Sequence, residues 1–157
     1  MDKTLYMLIG PKGSGKTYIG QLVENQTDIS FLRVENIWLA LKPNENGWLK
    51  VEEAIDKQFT RCGKVMIENL GAGKEFDRFR NSLDSKYNLK IIRVKTDLKT
   101  CLYRVKNRCS EDHIPVSYSK VEEYNEIASN VKLNWSLEID NNGPATDTEI
   151  IEKISDL

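Results

Sequence analysis

Short apolar runs alternate along this chain with segments whose apolar residues recur every three or four positions. Apolar runs of this length are typical of strands buried in a parallel sheet, whereas apolar residues that recur every three or four positions are typical of amphipathic helices. The runs predict strands over 4–9, 29–34, 64–68, 89–94 and 137–139. The recurring segments predict a helix that opens at Lys16 and further helices over 36–41, 49–60, 75–87, 96–105, 119–130 and 146–157.

Strands that alternate with helices in this way predict an α/β fold, with a parallel five-stranded sheet flanked by helices on both faces. The connections are expected to be right-handed crossovers. The whole chain, residues 1–157, is expected to form one domain. In such folds ligands lie outside the carboxyl ends of the strands, so the polar residues at those ends are the candidates for a functional site.

The segment between the first strand and the first helix fits the phosphate-binding pattern G-x-x-x-x-G-K-[ST] at each fixed position. Its glycines permit turns and close approaches that a Cβ would forbid, so successive backbone N–H groups can point at phosphate oxygens. A glycine-rich turn that only joins a strand to a helix is the alternative. The candidate nucleotide-binding residues are Gly10, Pro11, Lys12, Gly13, Ser14, Gly15, Lys16 and Thr17.

Two residues of this loop are expected to have chemical roles. Lys16 opens the helix, where the helix dipole adds to its ammonium charge, and is expected to reach the β- and γ-phosphates of ATP. Thr17 offers a hydroxyl oxygen to magnesium. The loop therefore predicts ATP and Mg²⁺ (Mg2+) as the cofactors.

Three acidic residues stand where predicted strands end. Glu68 ends the third strand, where a carboxylate can hold a metal-bound water or accept a proton from an attacking hydroxyl. We assign it, with Thr17, to the Mg²⁺ site. Glu35 follows the second strand and is a second catalytic candidate, although a solvated strand-end acid would look the same. Asp97 is interpreted as a helix cap.

A pair of arginines, Arg104 and Arg108, lies four residues apart and therefore on one helix face. Guanidinium groups suit phosphate oxygens because they are planar, permanently charged and bidentate, so both are candidate catalytic residues. The alternative is a solvated charged face. The polar stretch that follows, about 109–119, is expected to be a short lid that closes over the phosphates. Cys109 and His113 within it make a poor zinc site, since a second ligand pair is lacking.

Composition narrows the classes of protein. Lysine and arginine number 23 and aspartate and glutamate 24, giving a net charge of -1 and no clear nucleic-acid signal. Three cysteines without a C-x-x-C pair argue against a disulfide framework and favour a reducing cytoplasm. No apolar run approaches the length of a membrane span, so a membrane location is not expected.

The phosphate loop, the acids after the second and third strands, and the helix with Arg104 and Arg108 together resemble the P-loop small-molecule and nucleoside monophosphate kinases. Shikimate kinase-like and gluconate kinase-like proteins belong to this group, and the resemblance covers nearly the whole chain. It implies that the loop after the last strand, with Asn141 and Gly143, lies on the adenine side. The chain departs from shikimate kinases by having Gly71-Ala72-Gly73 in place of three glycines and by lacking an aspartate pair after the second strand.

We expect an ATP-dependent phosphotransferase that moves the γ-phosphoryl group of ATP to a small-molecule acceptor, because paired arginines and a lid suit a transfer that excludes water. A nucleotide hydrolase or switch is one alternative, but no guanine-reading Asn-Lys-x-Asp motif supports it. A regulatory module that binds ATP without turnover is another. Because the sequence departs from that of the shikimate kinases, it does not identify the acceptor, and it does not determine the oligomeric state.

Overall fold

A single parallel sheet organises the part of the chain that the computed structural model describes, residues 2–107, 116–143 and 145–157. The strand order is β2-β3-β1-β4-β5, and every pairing is parallel. This confirms the predicted α/β architecture with a parallel five-stranded sheet. The strands are β1 Thr4–Ile9, β2 Ser30–Phe31, β3 Lys64–Asn69, β4 Asn88–Lys95 and β5 Leu137–Asp140.

The helices of the described residues agree with the predicted periodic segments. Side-chain caps set the first turn of several of them: for example, the Asn46 carboxamide accepts from Trp48 N at 3.0 Å, and Thr146 forms a capping box with Glu149. The helices are α1 Lys16–Gln26, α2 Val34–Leu39, α3 Gly47–Gln58, α4 Lys74–Lys86, α5 Leu98–Asn107, α6 Tyr118–Ser129 and α7 Asp147–Ser155.

Two hydrophobic cores lie on opposite faces of the sheet. Alternate residues of β1 point into them, since Leu5 and Met7 belong to one core, and Tyr6 and Leu8 to the other. The first core packs under α3 and α4, and the second packs under α1 and α7. Because β1 is central and buried on both faces, the segment that leaves its carboxyl end is held by the rigid part of the molecule.

The predicted second strand, 29–34, is wrong in extent. The strand β2 covers Ser30 and Phe31, and Leu32 adds one further bond by donating its N–H to the Met66 carbonyl at 2.9 Å. The helix α2 then begins at Val34 with Arg33 as the N-cap, two residues before the predicted start at 36. An apolar run fits a strand or a buried helix equally well. Here Val34 is buried against the first core as the first residue of a helix.

Among the described residues, no helix is both long and apolar enough to cross a bilayer.

Candidate active site

The loop from Gly10 to Thr17 joins β1 to α1 at the carboxyl edge of the sheet. Gly13 and Gly15 have φ angles of 82° and 94°, in the left-handed region that favours glycine. Space is also short: a Cβ on Gly15 would lie 2.3 Å from Asn141 Nδ2, and one on Gly13 would lie 2.5 Å from the Cys101 carbonyl oxygen. The glycines therefore allow β5 and α5 to approach the loop closely.

The side chain of Lys16 folds back over the loop. Its ammonium donates to the Gly10 carbonyl at 2.6 Å and to the Pro11 carbonyl at 2.9 Å. Burial lowers the pKa of Lys16 to about 8, and the nearby Glu68 carboxylate opposes that shift. A bound triphosphate would bring negative charge beside this buried ammonium and so stabilise its charged form.

Thr17 and Glu68 meet at the start of α1. The Thr17 hydroxyl donates to Glu68 Oε2 at 2.9 Å, although the two residues are 51 positions apart. Glu68 is only 3% exposed, and its other oxygen, Oε1, is buried without a hydrogen-bond partner among the residues that the structure describes. A hydroxyl and a buried carboxylate with an unused oxygen are the hard ligands that Mg²⁺ prefers, so these residues fit the expected metal.

Glu35 lies in the first turn of α2 rather than at a strand end. It is 8% exposed, and its carboxylate lies 3.7 Å from the Lys12 ammonium. Glu35 and Glu68 line the same two cavities, so the fold brings the two predicted acids together. Asp97 caps the start of α5, as predicted. Its carboxylate accepts a hydrogen bond from Thr100 N at 2.8 Å, and that bond lowers its pKa.

Arg104 lies beneath the loop and binds its backbone. The guanidinium donates to the carbonyls of Gly13 at 3.3 Å and Ser14 at 3.2 Å, and to that of Asn141 at 2.7 Å. This arrangement differs from the solvated helix face that was the alternative, and it ties α5, the loop and the turn after β5 together. Arg108 and most of the expected lid, residues 109–115, lie outside the described residues.

The turn after β5 holds the loop from a second side. The Asn141 carboxamide donates to the Ser14 carbonyl at 2.7 Å, and the Thr96 hydroxyl donates to the same carbonyl at 3.1 Å. Gly143, in the same turn, has a φ of 123°. Sequence reasoning missed Thr96. Its position directly after an apolar strand was the signal that could have identified it.

Two cavities meet at the loop. The first, of about 280 Å³, runs along the loop and the start of α1, and we call it the phosphate cavity. The second, of about 230 Å³, lies between the loop and α2, and we call it the acceptor cavity. Four residues line both cavities: Lys12, Lys16, Glu35 and Glu68. Any group bound in one cavity is therefore next to a group bound in the other.

Three aromatic residues of the acceptor cavity were missed by sequence reasoning: Trp38, Trp48 and Tyr124. Trp38 and Trp48 pack edge to face, with ring centroids 5.5 Å apart. Trp38 lies within the predicted helix over 36–41, and Trp48 directly precedes the predicted helix over 49–60. Two tryptophans on either side of the polar segment 42–47 were the available signal.

Comparisons with known proteins identify the fold. No protein-family model matches the chain, and no curated protein sequence matches it. Solved structures do match. A shikimate kinase from Acinetobacter baumannii in complex with shikimate aligns with a TM-score of 0.63 at 16% identity, covering 99% of this chain and 92% of that one.

Two further structures agree with the first. A gluconokinase from Sinorhizobium meliloti aligns with a TM-score of 0.63 at 14% identity, over 96% of this chain and 88% of that one. An APS kinase from Mycobacterium tuberculosis, in complex with AMPPNP and APS, aligns with a TM-score of 0.64 at 16% identity, over 99% and 96%. The chain thus has the P-loop NTPase fold in the form that small-molecule P-loop kinases share, as the sequence resemblance implied.

Proposed function

We propose that this protein is an ATP-dependent phosphotransferase that moves the γ-phosphoryl group of ATP to a hydroxyl of a small-molecule acceptor. The observation that carries the proposal is the meeting of the phosphate cavity and the acceptor cavity at Glu35, Glu68, Lys12 and Lys16. A hydrolase or a binding module needs only the first cavity. A second cavity that opens onto the same two carboxylates gives the acceptor a place beside the terminal phosphate.

The loop supplies most of the binding energy for the triphosphate in this proposal. Backbone N–H groups of the loop and the N-terminus of α1 face the phosphates, and Lys16 exchanges its bonds to loop carbonyls for bonds to the β- and γ-phosphates. Arg104, Thr96 and Asn141 act behind the loop and hold its carbonyls in place. Asn141 and Gly143 are proposed to lie beside the adenine.

The two acids are proposed to do different things. Thr17 and Glu68 would hold Mg²⁺, which neutralises charge that develops on the phosphate oxygens when it is bound. Glu35 lies in the acceptor cavity and is proposed to take the proton of the acceptor hydroxyl. The Lys12 ammonium lies 3.7 Å from this carboxylate and helps to orient it. Arg108, which precedes the expected lid in the sequence, is proposed to meet the transferring phosphoryl group.

The experiment is phosphate transfer from γ-labelled ATP to a panel of hydroxyl metabolites with and without Mg²⁺, with Lys16→Met as the inactive control. Mg²⁺-dependent label in an acceptor, absent from the control, supports the proposal. Label released only as inorganic phosphate, at a rate that no acceptor changes, favours the hydrolase. ATP binding by calorimetry without any turnover favours the regulatory module.

A further inference from the structure

The walls of the acceptor cavity are mainly apolar. The apolar and aromatic side chains of its lining are Trp38, Trp48, Val34, Leu70 and Tyr124. The two tryptophans are held in place: Trp48 packs against Phe79 with centroids 5.2 Å apart, and the Trp38 ring fills the space that a Cβ on Gly47 would need. A fixed aromatic wall of this kind suits a ligand with a flat or ring-shaped apolar face.

The charged residues of the acceptor cavity disfavour the binding of an anionic ligand. In the described lining the cations are Lys12 and Lys16. Lys12 lies 3.7 Å from Glu35, and Lys16 binds loop carbonyls and, in the proposed function, the phosphates. Glu35 and Glu68 are both buried carboxylates. A carboxylate or phosphate on the acceptor would be desolvated beside them, and the described lining offers it no further cation.

The size of the acceptor cavity restricts its ligand further. At about 230 Å³ it is smaller than the pockets of roughly 300–1,000 Å³ that hold drug-sized ligands. The polar groups in the lining that a hydroxyl can reach are Glu35, Glu68 and Asn69, and the tryptophans lie on α2 and α3. The cavity therefore suits a compact molecule that carries both a hydroxyl and an apolar ring.

From these three observations we infer that the acceptor is an uncharged ring alcohol, with no carboxylate or phosphate group, that packs its ring against Trp38 and Trp48. This inference rests on the proposed phosphotransferase function and goes beyond it by assigning the acceptor class. It separates this chain from kinases of acidic acceptors, even though the fold is shared. Trp38 is then a residue that determines which acceptor binds.

The test uses acceptor pairs that differ only by an anionic group: glucose with glucuronate, benzyl alcohol with its para-carboxylate, and a nucleoside with its monophosphate. Transfer of labelled phosphate gives kcat and KM for each member, and quenching of tryptophan fluorescence reports binding independently of turnover. Trp38→Leu removes the ring, and Trp38→Phe restores an aromatic face if Leu disturbs the fold. Trp135→Phe is the matched control, because Trp135 lies outside this cavity, against the Arg93 guanidinium.

We expect the uncharged member of at least one pair to have a kcat/KM at least tenfold above that of its anionic partner. Trp38→Leu should raise KM for it about tenfold with a smaller change in kcat, Trp38→Phe should recover most of that loss, and Trp135→Phe should change neither constant. Preference for the anionic members, or an unchanged KM in Trp38→Leu, overturns the acceptor class while the phosphotransferase stands. If no label moves to any acceptor, the proposed function fails, and fluorescence still decides whether uncharged rings bind the cavity.

Discussion

Proton uptake on nucleotide binding gives a direct test of the role of Lys16. The pKa of this ammonium is lowered to about 8 by burial, so at about pH 8.5 roughly three quarters of the side chains are neutral, and at about pH 7 roughly one tenth are. A triphosphate in the loop places negative charge beside Lys16 and raises its pKa again. Binding at about pH 8.5 is then expected to take up about three quarters of a proton, and binding at about pH 7 about one tenth.

The assay is calorimetric titration with a non-hydrolysable ATP analogue in two buffers of different ionisation enthalpy, because the difference in apparent binding enthalpy gives the number of protons taken up. Lys16→Met should take up none, and the exposed Lys99→Met should behave as the wild type. An uptake near zero at about pH 8.5 in the wild type, or the same uptake in Lys16→Met, would refute the assignment of Lys16 to the phosphates.

The lowered pKa of Lys16 also determines how the free energy of unfolding changes with pH. Since the pKa of Lys16 is lower in the folded chain than its ordinary 10.5, the unfolded chain binds more protons between about pH 8 and 10.5. The free energy of unfolding of the nucleotide-free wild type, relative to Lys16→Met, should therefore rise with pH across this window, by up to about 3 kcal/mol. Urea unfolding of both proteins at the two ends of the window measures the difference, and a fall with rising pH would contradict it.

The other predictions concern the acids, the arginine and the glycines of the site. Glu68→Gln and Glu35→Gln should each lower kcat by about 10²–10⁴ while calorimetric ATP affinity stays nearly unchanged, and wild-type turnover at saturating Mg²⁺ would show that these acids are structural. Arg104→Lys keeps the charge but loses the two-nitrogen geometry that joins the Ser14 carbonyl of the loop to the Asn141 carbonyl after β5, so ATP affinity should fall about tenfold; an affinity equal to that of the wild type would contradict its positioning role. Gly15→Ala should destabilise the fold by about 1–3 kcal/mol in urea unfolding, because of its left-handed φ and the close side chain beyond it, whereas Gly63→Ala, with nothing within 4 Å, should cost less.

Local patterns in the sequence predicted the parts of the molecule that depend on local structure. The phosphate loop was found because its glycines and Lys16 are needed at fixed spacing by the turn itself. Glu68 was found because the carboxyl end of a buried strand is a fixed place in a parallel sheet. Its bond to Thr17 at 2.9 Å follows from the order of β1 and β3 in the sheet.

The rest of the site depends on packing between distant segments, which periodicity does not report. Arg104 was assigned to the transferring phosphoryl group from its helix face alone, yet its guanidinium contacts Gly13 O, 91 positions away, because α5 crosses under the loop. Glu35 was placed at the end of a strand, because an apolar run cannot show that the strand β2 ends at Phe31 and that a helix begins at Val34.

The charges and the apolar wall of the site work on different parts of the proposed reaction. Two lysines and two buried carboxylates meet between the cavities, so a triphosphate brings negative charge that Lys16 accommodates and that Mg²⁺ at Glu68 would offset. The acceptor needs no charge of its own to bind, because Trp38 and Trp48 offer apolar area. Selection among acceptors would then rest on ring shape and on repulsion of anions, while the catalytic groups remain those that the fold places at the edge of the sheet.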